Sequence, residues 1–159
     1  MLDQKILCEF LVKAKQATYA AGENAKKISN SDSSTTLIFE AGEWKYHDNY
    51  FGGEPFGGRE VVFFQGKPVY LMVYYGKVSA TVQDFSQVYG VLQGALSQIT
   101  IEAPYRGPRE YLQGDFVYRN NYQGTVESFS GEEIIWQEEK EIYRTKYVGG
   151  LVDIPKNLG

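Results

Sequence analysis

Two stretches of this chain repeat one another, and a repeat constrains the fold more than composition can, because both copies must close the same bends and bury the same face. Gly42-Glu-Trp-Lys-Tyr46-His-Asp-Asn-Tyr50-Phe-Gly52 lies over Gly114-Asp-Phe-Val-Tyr118-Arg-Asn-Asn-Tyr122-Gln-Gly124 at a spacing of 72. One residue is inserted in the second copy, after which the register runs at 73. Phe56, Gly58, Glu60, Lys67, Tyr70, Tyr74 and Gly76 then fall on Phe129, Gly131, Glu133, Lys140, Tyr143, Tyr147 and Gly149. Identities fill 12 of the 35 positions from 42 to 76. Unrelated segments of average composition would match at about one position in fifteen.

A helical pattern precedes each copy. Leu7, Phe10, Leu11, Ala14 and Thr18 recur at three- and four-residue steps behind Asp3 as N-cap. Phe85, Val88, Leu92, Ala95, Leu96 and Ile99 do the same behind Thr81-x-x-Asp84, which resembles a capping box with a shortened acid. Period-two alternation and Gly punctuation place strands near 35–40, 43–51, 59–65 and 68–76, then near 109–112, 115–123, 132–138 and 140–148. The glycines between Tyr50 and Gly58 read as a sharp bend between strands, and the polar run from Gly22 to Ser34 as a mobile surface loop. The expected fold class is α+β: an internally duplicated α-β-β-β-β unit, two helices packed on an antiparallel sheet with one shared core. One domain over 1–159 is expected, with pseudo-repeats 1–78 and 79–152 related by an approximate two-fold axis and a flexible tail over 153–159.

Alternation puts Trp44, Tyr46, Asp48 and Tyr50 on one face of their strand, with Tyr70, Met72 and Tyr74 sharing a face of the last strand of the unit. The 13 Tyr residues of the chain are concentrated on such faces. Two readings of the wall stay open. Tyr46, Asp48, Tyr50, Glu60, Tyr70 and Tyr74 form either a Tyr-rich core whose acids tie off hydroxyl groups, or a ligand-binding cavity lined by rings and a few convergent polar groups. The places where the copies differ, Asp48 against Asn120, His47 against Arg119, and Glu54 and Arg59 in the first copy alone, make any such site asymmetric.

Other chemistry is thin. His47 is the single histidine and Cys8 the single cysteine, so neither a histidine metal cluster nor an internal disulfide can form, and no metal or cofactor is expected. Asp48 and Glu60 could divide acid and base work in a hydrolase, but no spacing demands it, and catalytic residues stay unassigned. The formal net charge of -4 speaks against direct nucleic-acid binding. No stretch approaches the roughly 20 apolar residues a bilayer requires, and MLDQKILCEF lacks the apolar run of a signal peptide, so a cytoplasmic location without membrane contact is expected. A small-molecule ligand, a protein partner and a homodimer all remain open as partners, the last two because edge strands and exposed Tyr suit interfaces.

The segment Tyr46-x-Asp48-x-Tyr50-x-Gly52-x-x-x-Phe56-x-Gly58-x-Glu60-x-Val62, followed by Pro68-Val-Tyr70 and Tyr74-Tyr-Gly76, resembles a bacterial domain family whose function is not established. Phe10-Leu-Val-Lys-Ala-Lys-x-Ala-Thr-Tyr19, Pro104-Tyr-Arg-Gly-Pro108 and Gly149-Gly-Leu151 extend the resemblance over most of the chain. In some relatives the domain follows a helix-turn-helix domain of the phage-repressor type, which implies a sensory or partner-binding module. This chain starts at the module's first helix, so the resemblance implies a regulator that acts through a separate partner. It implies no catalytic residues.

Overall fold

The computed structural model describes residues 2–153. Helix α1 (Gln4–Ala17) leads through a 3-10 turn (Tyr19–Asn24) into β1 (Lys27–Ser29), β2 (Thr35–Ala41), β3 (Trp44–Phe51), β4 (Phe56–Phe64) and β5 (Lys67–Val78). Helix α2 (Phe85–Ser97) then precedes β6 (Glu110–Gln113), β7 (Phe116–Thr125), β8 (Ser128–Gln137) and β9 (Lys140–Leu151). The strands form one antiparallel sheet in the order β1-β2-β3-β4-β5-β9-β8-β7-β6.

That order carries the duplication into space. The last strands of the two copies, β5 and β9, pair antiparallel at the centre, and Tyr74 lies directly opposite its repeat mate Tyr147. When equivalent strands pair antiparallel about equivalent residues, a two-fold axis passes between those residues. The detail of each half agrees. The β4–β5 ladder slips between Val62 and Phe63, and the β8–β9 ladder slips at the matching Ile135 and Trp136. Gly52 and Gly124 both adopt positive φ, at 80° and 92°. A Cβ on either would lie 2.4 Å from the Pro55 carbonyl oxygen or 2.1 Å from that of Ser128, so the bend excludes any side chain. Gly52→Ala and Gly124→Ala should therefore each destabilise by on the order of 2 kcal/mol. Urea titration reads this directly, and an unchanged midpoint in either variant would mean that the bend tolerates a Cβ.

Both helices start as capped amphipathic segments. Asp3 accepts from the backbone N–H of Lys5 and Ile6 at 2.9 and 3.2 Å. At α2 the expectation needs correction: the cap is Asp84, which accepts from Ser86 N at 3.0 Å, while Thr81, four residues before the helix begins, bonds to the Ser79 hydroxyl. An Asp directly before Phe85 reaches the free amides better than a Thr further upstream.

Three other expectations shift. The bend narrows to residues 52–55, because β4 begins at Phe56 rather than near 59. The expected loop over 22–34 contains the end of the 3-10 turn, the edge strand β1 and a closed turn, so the first unit has five strands instead of four. In that turn Asn30 N donates to Ser34 O at 2.9 Å and the Asp32 carboxylate accepts from Ser34 N at 3.0 Å. The small polar residues that suggest mobility satisfy one another. The tail expected to fray lies, beyond Asp153, outside the described residues.

Leu7, Phe10, Leu11 and Ala14 of α1 cover Tyr46, Val62 and Tyr70, while Val88, Val91, Leu92 and Ala95 of α2 cover the matching Tyr118, Ile135 and Tyr143. The two lobes share one interior. Ala103, Tyr105, Phe129 and Tyr147 from the second half pack into the first lobe, and Phe56 packs against both. The opposite face of the sheet is open, with Val73, Tyr75 and Val148 exposed on its central strands.

Candidate functional site

The pleat of β3 turns Tyr46, Asp48 and Tyr50 toward the helices, and the β3–β4 register sets Asp48 opposite Glu60. Two carboxylates thus face each other on the inner side of the sheet, and each solves the problem differently. Glu60 Oε2 receives no well-angled hydrogen bond but lies 2.7 Å from the Lys15 ammonium of α1, an ionic contact, and Lys15 also donates to the Tyr105 carbonyl. Asp48 Oδ1 accepts from the Tyr74 hydroxyl at 2.7 Å. The Tyr46 hydroxyl is within reach of Glu60. Tyr70 sits deep in the core under α1, and its hydroxyl has no partner among the described residues.

A cavity of about 370 Å³ opens beside Asp48, between β3–β5, the 3-10 turn and α2. Of the six residues singled out in the sequence, Asp48, Tyr50 and Tyr74 line it. Tyr46 and Glu60 lie one layer deeper, around a void of about 10 Å³ beside Lys15. The remaining walls come from elements that alternation along a strand cannot connect: Tyr19, Phe56, Tyr89 of α2, and Arg106 from the connection after α2. Tyr89 donates to the Gly53 carbonyl at 3.0 Å and to the Glu54 carboxylate, which itself accepts from Val78 N at 2.6 Å. The β3–β4 bend is thereby pinned to α2. Arg106 donates from Nε to Glu133 Oε1 at 2.7 Å, and its guanidinium lies 5.6 Å from the centre of the Tyr74 ring.

The matching place in the second half is filled by the chain itself. Asn120, the counterpart of Asp48, donates to the Gly107 carbonyl at 2.8 Å and accepts from Tyr147 at 2.6 Å. Tyr105 stacks on Phe129 at 3.9 Å and meets Tyr122 edge-on at 5.7 Å, while Arg109 covers Tyr122 at 3.8 Å. Tyr50, the counterpart of Tyr122, instead lines the open cavity, and Phe56, the counterpart of Phe129, contributes to its wall while packing against Tyr74, Tyr89 and Tyr143 at 6.1, 6.2 and 6.4 Å.

The electrostatics follow from burial. Loss of water and the facing Glu60 carboxylate push the Asp48 carboxyl up to about 7, against the Tyr74 hydrogen bond and the pull of Arg106 and Lys15. Burial draws the Lys15 ammonium below its ordinary value. Burial works against the Arg106 charge too and is the largest single influence on it, but Glu133, Tyr143, Glu60 and Tyr118 together outweigh it and hold that group above its usual range. Burial also raises Tyr74, with Asp48 adding to the effect. His47 lies on the outer side of β3, lowered by partial burial and then by Arg59 and Lys45, and takes no part in the cavity. Among the described residues no group of three or more His, Cys, Asp or Glu side chains comes together in a way that could hold a metal ion. No helix among them is long and apolar enough to cross a membrane.

The profile of the family described as Domain of unknown function (DUF5680) matches residues 48–152, well over half of the chain. The protein belongs to this family. No curated protein and no solved structure shows a match to the chain. The DUF5680 region starts at Asp48 itself and includes the cavity walls Tyr50, Phe56, Tyr74, Tyr89 and Arg106, whereas Tyr19 and Lys27 are contributed by the segment before it.

Proposed function

We propose that this DUF5680 protein is a non-catalytic small-molecule-binding module with its site at the cavity beside Asp48. One observation carries the reading: a duplicated fold fills the cleft of one copy with its own backbone and aromatic rings and leaves the cleft of the other copy open. The volume, about 370 Å³, and a wall of rings around a few polar groups are the ordinary features of a ligand pocket. In this reading the domain acts in the cytoplasm as a sensor whose ligand state is read by a separate partner, in keeping with the helix-turn-helix association of similar bacterial domains.

The test is a screen of small aromatic fragments by amide chemical shifts, compared with Thr35→Trp, which places a large ring at the rim of the cavity. Fragments should perturb the resonances of Tyr50 and Tyr89 in the parent protein and not in the variant. A saturating ligand should also raise the unfolding free energy, by about 2.7 kcal/mol at a hundredfold excess over its Kd. Fragments that leave the cavity resonances unmoved, or that bind Thr35→Trp equally well, would overturn the reading.

A hydrolase using Asp48 and Glu60 is the alternative from another class, favoured by the facing carboxylates. Against it stands the engagement of Glu60 with Lys15, outside the cavity wall, since a two-carboxylate mechanism needs both groups at the substrate. A protein-interaction role draws on the exposed Val73, Tyr75 and Val148. Sedimentation of a strict monomer would remove its homodimer form.

A further inference from the structure

We infer that the cavity takes a small organic cation, whose ammonium or amidinium group pairs with Asp48 while its body lies against the rings of Tyr50, Phe56, Tyr74 and Tyr89. The inference rests on the binding reading above and names its ligand class.

Among the described residues five ionisable side chains that are charged at neutral pH in water are buried: Asp48, Glu60 and Glu133 at 2%, 3% and 0% exposure, against Lys15 and Arg106 at 6% each. Both cations are committed, Lys15 to Glu60 and Arg106 to Glu133, each at 2.7 Å. The acid left over is Asp48, the one of the three that lines the cavity. A buried carboxylate without a counter-charge is costly, and it either holds a proton or acquires a partner. A ligand with one positive charge would supply that partner. An anionic ligand would instead meet Asp48 with Glu60 behind it, and the one buried cation in the cavity wall, Arg106, is already paired through Nε with Glu133.

The other half of the fold resolves the same position differently. There the position facing Glu133 is Asn120, so the conflict between facing acids is absent, and that neutral amide is the residue bonded to the backbone filling the cleft. The open cleft keeps the acid. The wall itself suits a cation, since the faces of Tyr and Phe rings attract positive charge, the more so out of water. Lys27, the other cation at the cavity, is an exposed residue of the edge strand β1 and stands at the rim.

The groups that face or act on Asp48 are Glu60 from β4, Tyr74 from β5, Arg106 from the connection after α2, Lys15 from α1, Tyr46 from β3 and Tyr19 from the 3-10 turn. With the Asp48 carboxyl near 7 in the free protein, a cation must displace its proton. Affinity should therefore rise about tenfold per pH unit from pH 5 toward 7 and level off above it, with uptake of the cation releasing close to one proton below pH 6.

Benzylammonium, benzamidinium and choline are the cationic probes, with benzyl alcohol and benzoate as neutral and anionic controls, titrated by NMR at pH 5, 6, 7 and 8. The expected result is a tenfold or greater preference for at least one cation over both controls, the stated pH trend, and loss of at least thirtyfold in that affinity in Asp48→Asn while benzyl alcohol binding persists. Benzyl alcohol or benzoate binding in the cavity as tightly as the cations, or cation affinity flat from pH 5 to 8, would overturn the cation class and leave ligand binding standing. Cavity resonances unmoved by any probe would overturn both.

Discussion

Replacing Arg106 with methionine is expected to destabilise the protein by about 3–5 kcal/mol, the usual cost of removing one member of a buried ion pair. The Glu133 carboxylate is fully buried and is held by Arg106 on one oxygen and by the Tyr118 hydroxyl, at 2.5 Å, on the other. Without the guanidinium, a buried negative charge keeps one hydrogen bond and no counter-ion. Arg106 also lowers the cost of ionising Asp48, so its loss acts on both halves of the interior. Adding Glu133→Gln to Arg106→Met should return more than half of the lost stability, because the double variant removes the orphaned charge while Gln keeps an acceptor for Tyr118. Urea denaturation of the two single variants and the double supplies the cycle. A loss below about 1 kcal/mol for Arg106→Met would place the pair in the range of solvated surface ion pairs and contradict its burial.

Much of the architecture was legible because the repeat is written in residues with geometric jobs. Matching Gly positions set the same bends, and matching Tyr positions set the same inner face, so Tyr46, Tyr70, Tyr118 and Tyr143 all end fully buried beneath helices. Antiparallel pairing of β5 with β9 needs only that two such units share a sheet through their last strands. What was not legible depends on partners distant in sequence or on local polar bonding. β1 is a three-residue edge strand with exposed side chains, so it has no buried face for alternation to reveal. The closed turn before β2 is built from Asn30, Asp32 and Ser34, residue types that serve flexible loops equally well.

The site divides along the same line. Alternation gives the face of a strand and not the depth along it. Tyr70 and Tyr74 share a face of β5, yet four residues, roughly 13 Å of strand, separate a core position under α1 from a cavity wall. Glu60 faces Asp48 across the β3–β4 ladder, but its pairing with Lys15 depends on the rotation of α1 over the sheet, which alternation along a strand does not give. Tyr89 carried no local signal, and Tyr19 and Arg106 lie in segments that extend the family resemblance without showing that they reach the cavity. Arg106 sits in Pro104-Tyr-Arg-Gly-Pro108, where nothing in the spacing shows that the chain crosses into the other half. The difference between the copies, Asp48 against Asn120, is visible in the sequence and implies an asymmetric site, but which cleft stays open follows only from the contacts of Asn120 with Gly107 and Tyr147.

That difference leads to the second large effect: Asp48→Asn should make the protein more stable, increasingly so as pH rises. The unfolded chain releases the Asp48 proton near 3.9, whereas the folded protein holds it to about 7. Between those values the native state binds more protons than the unfolded state, so this group's contribution to stability is complete below about pH 4 and is lost as pH climbs toward 7. Asparagine has no proton to lose. The other acids and bases are common to both proteins, so the gap in unfolding free energy should be small near pH 4, widen through pH 5 and 6, and reach about 2–4 kcal/mol above pH 7. In a domain of this size that is on the order of 10 °C in Tm. Asn120 in the second half shows that the fold accepts the amide at the equivalent place, opposite a glutamate and bonded to a tyrosine. Thermal melts of the two proteins from pH 4 to 8 check the trend. A variant less stable than the parent at pH 8, or a gap that does not change with pH, would mean that Asp48 already has a compensating partner in the folded chain, and the charge count behind a cationic ligand would fail with it.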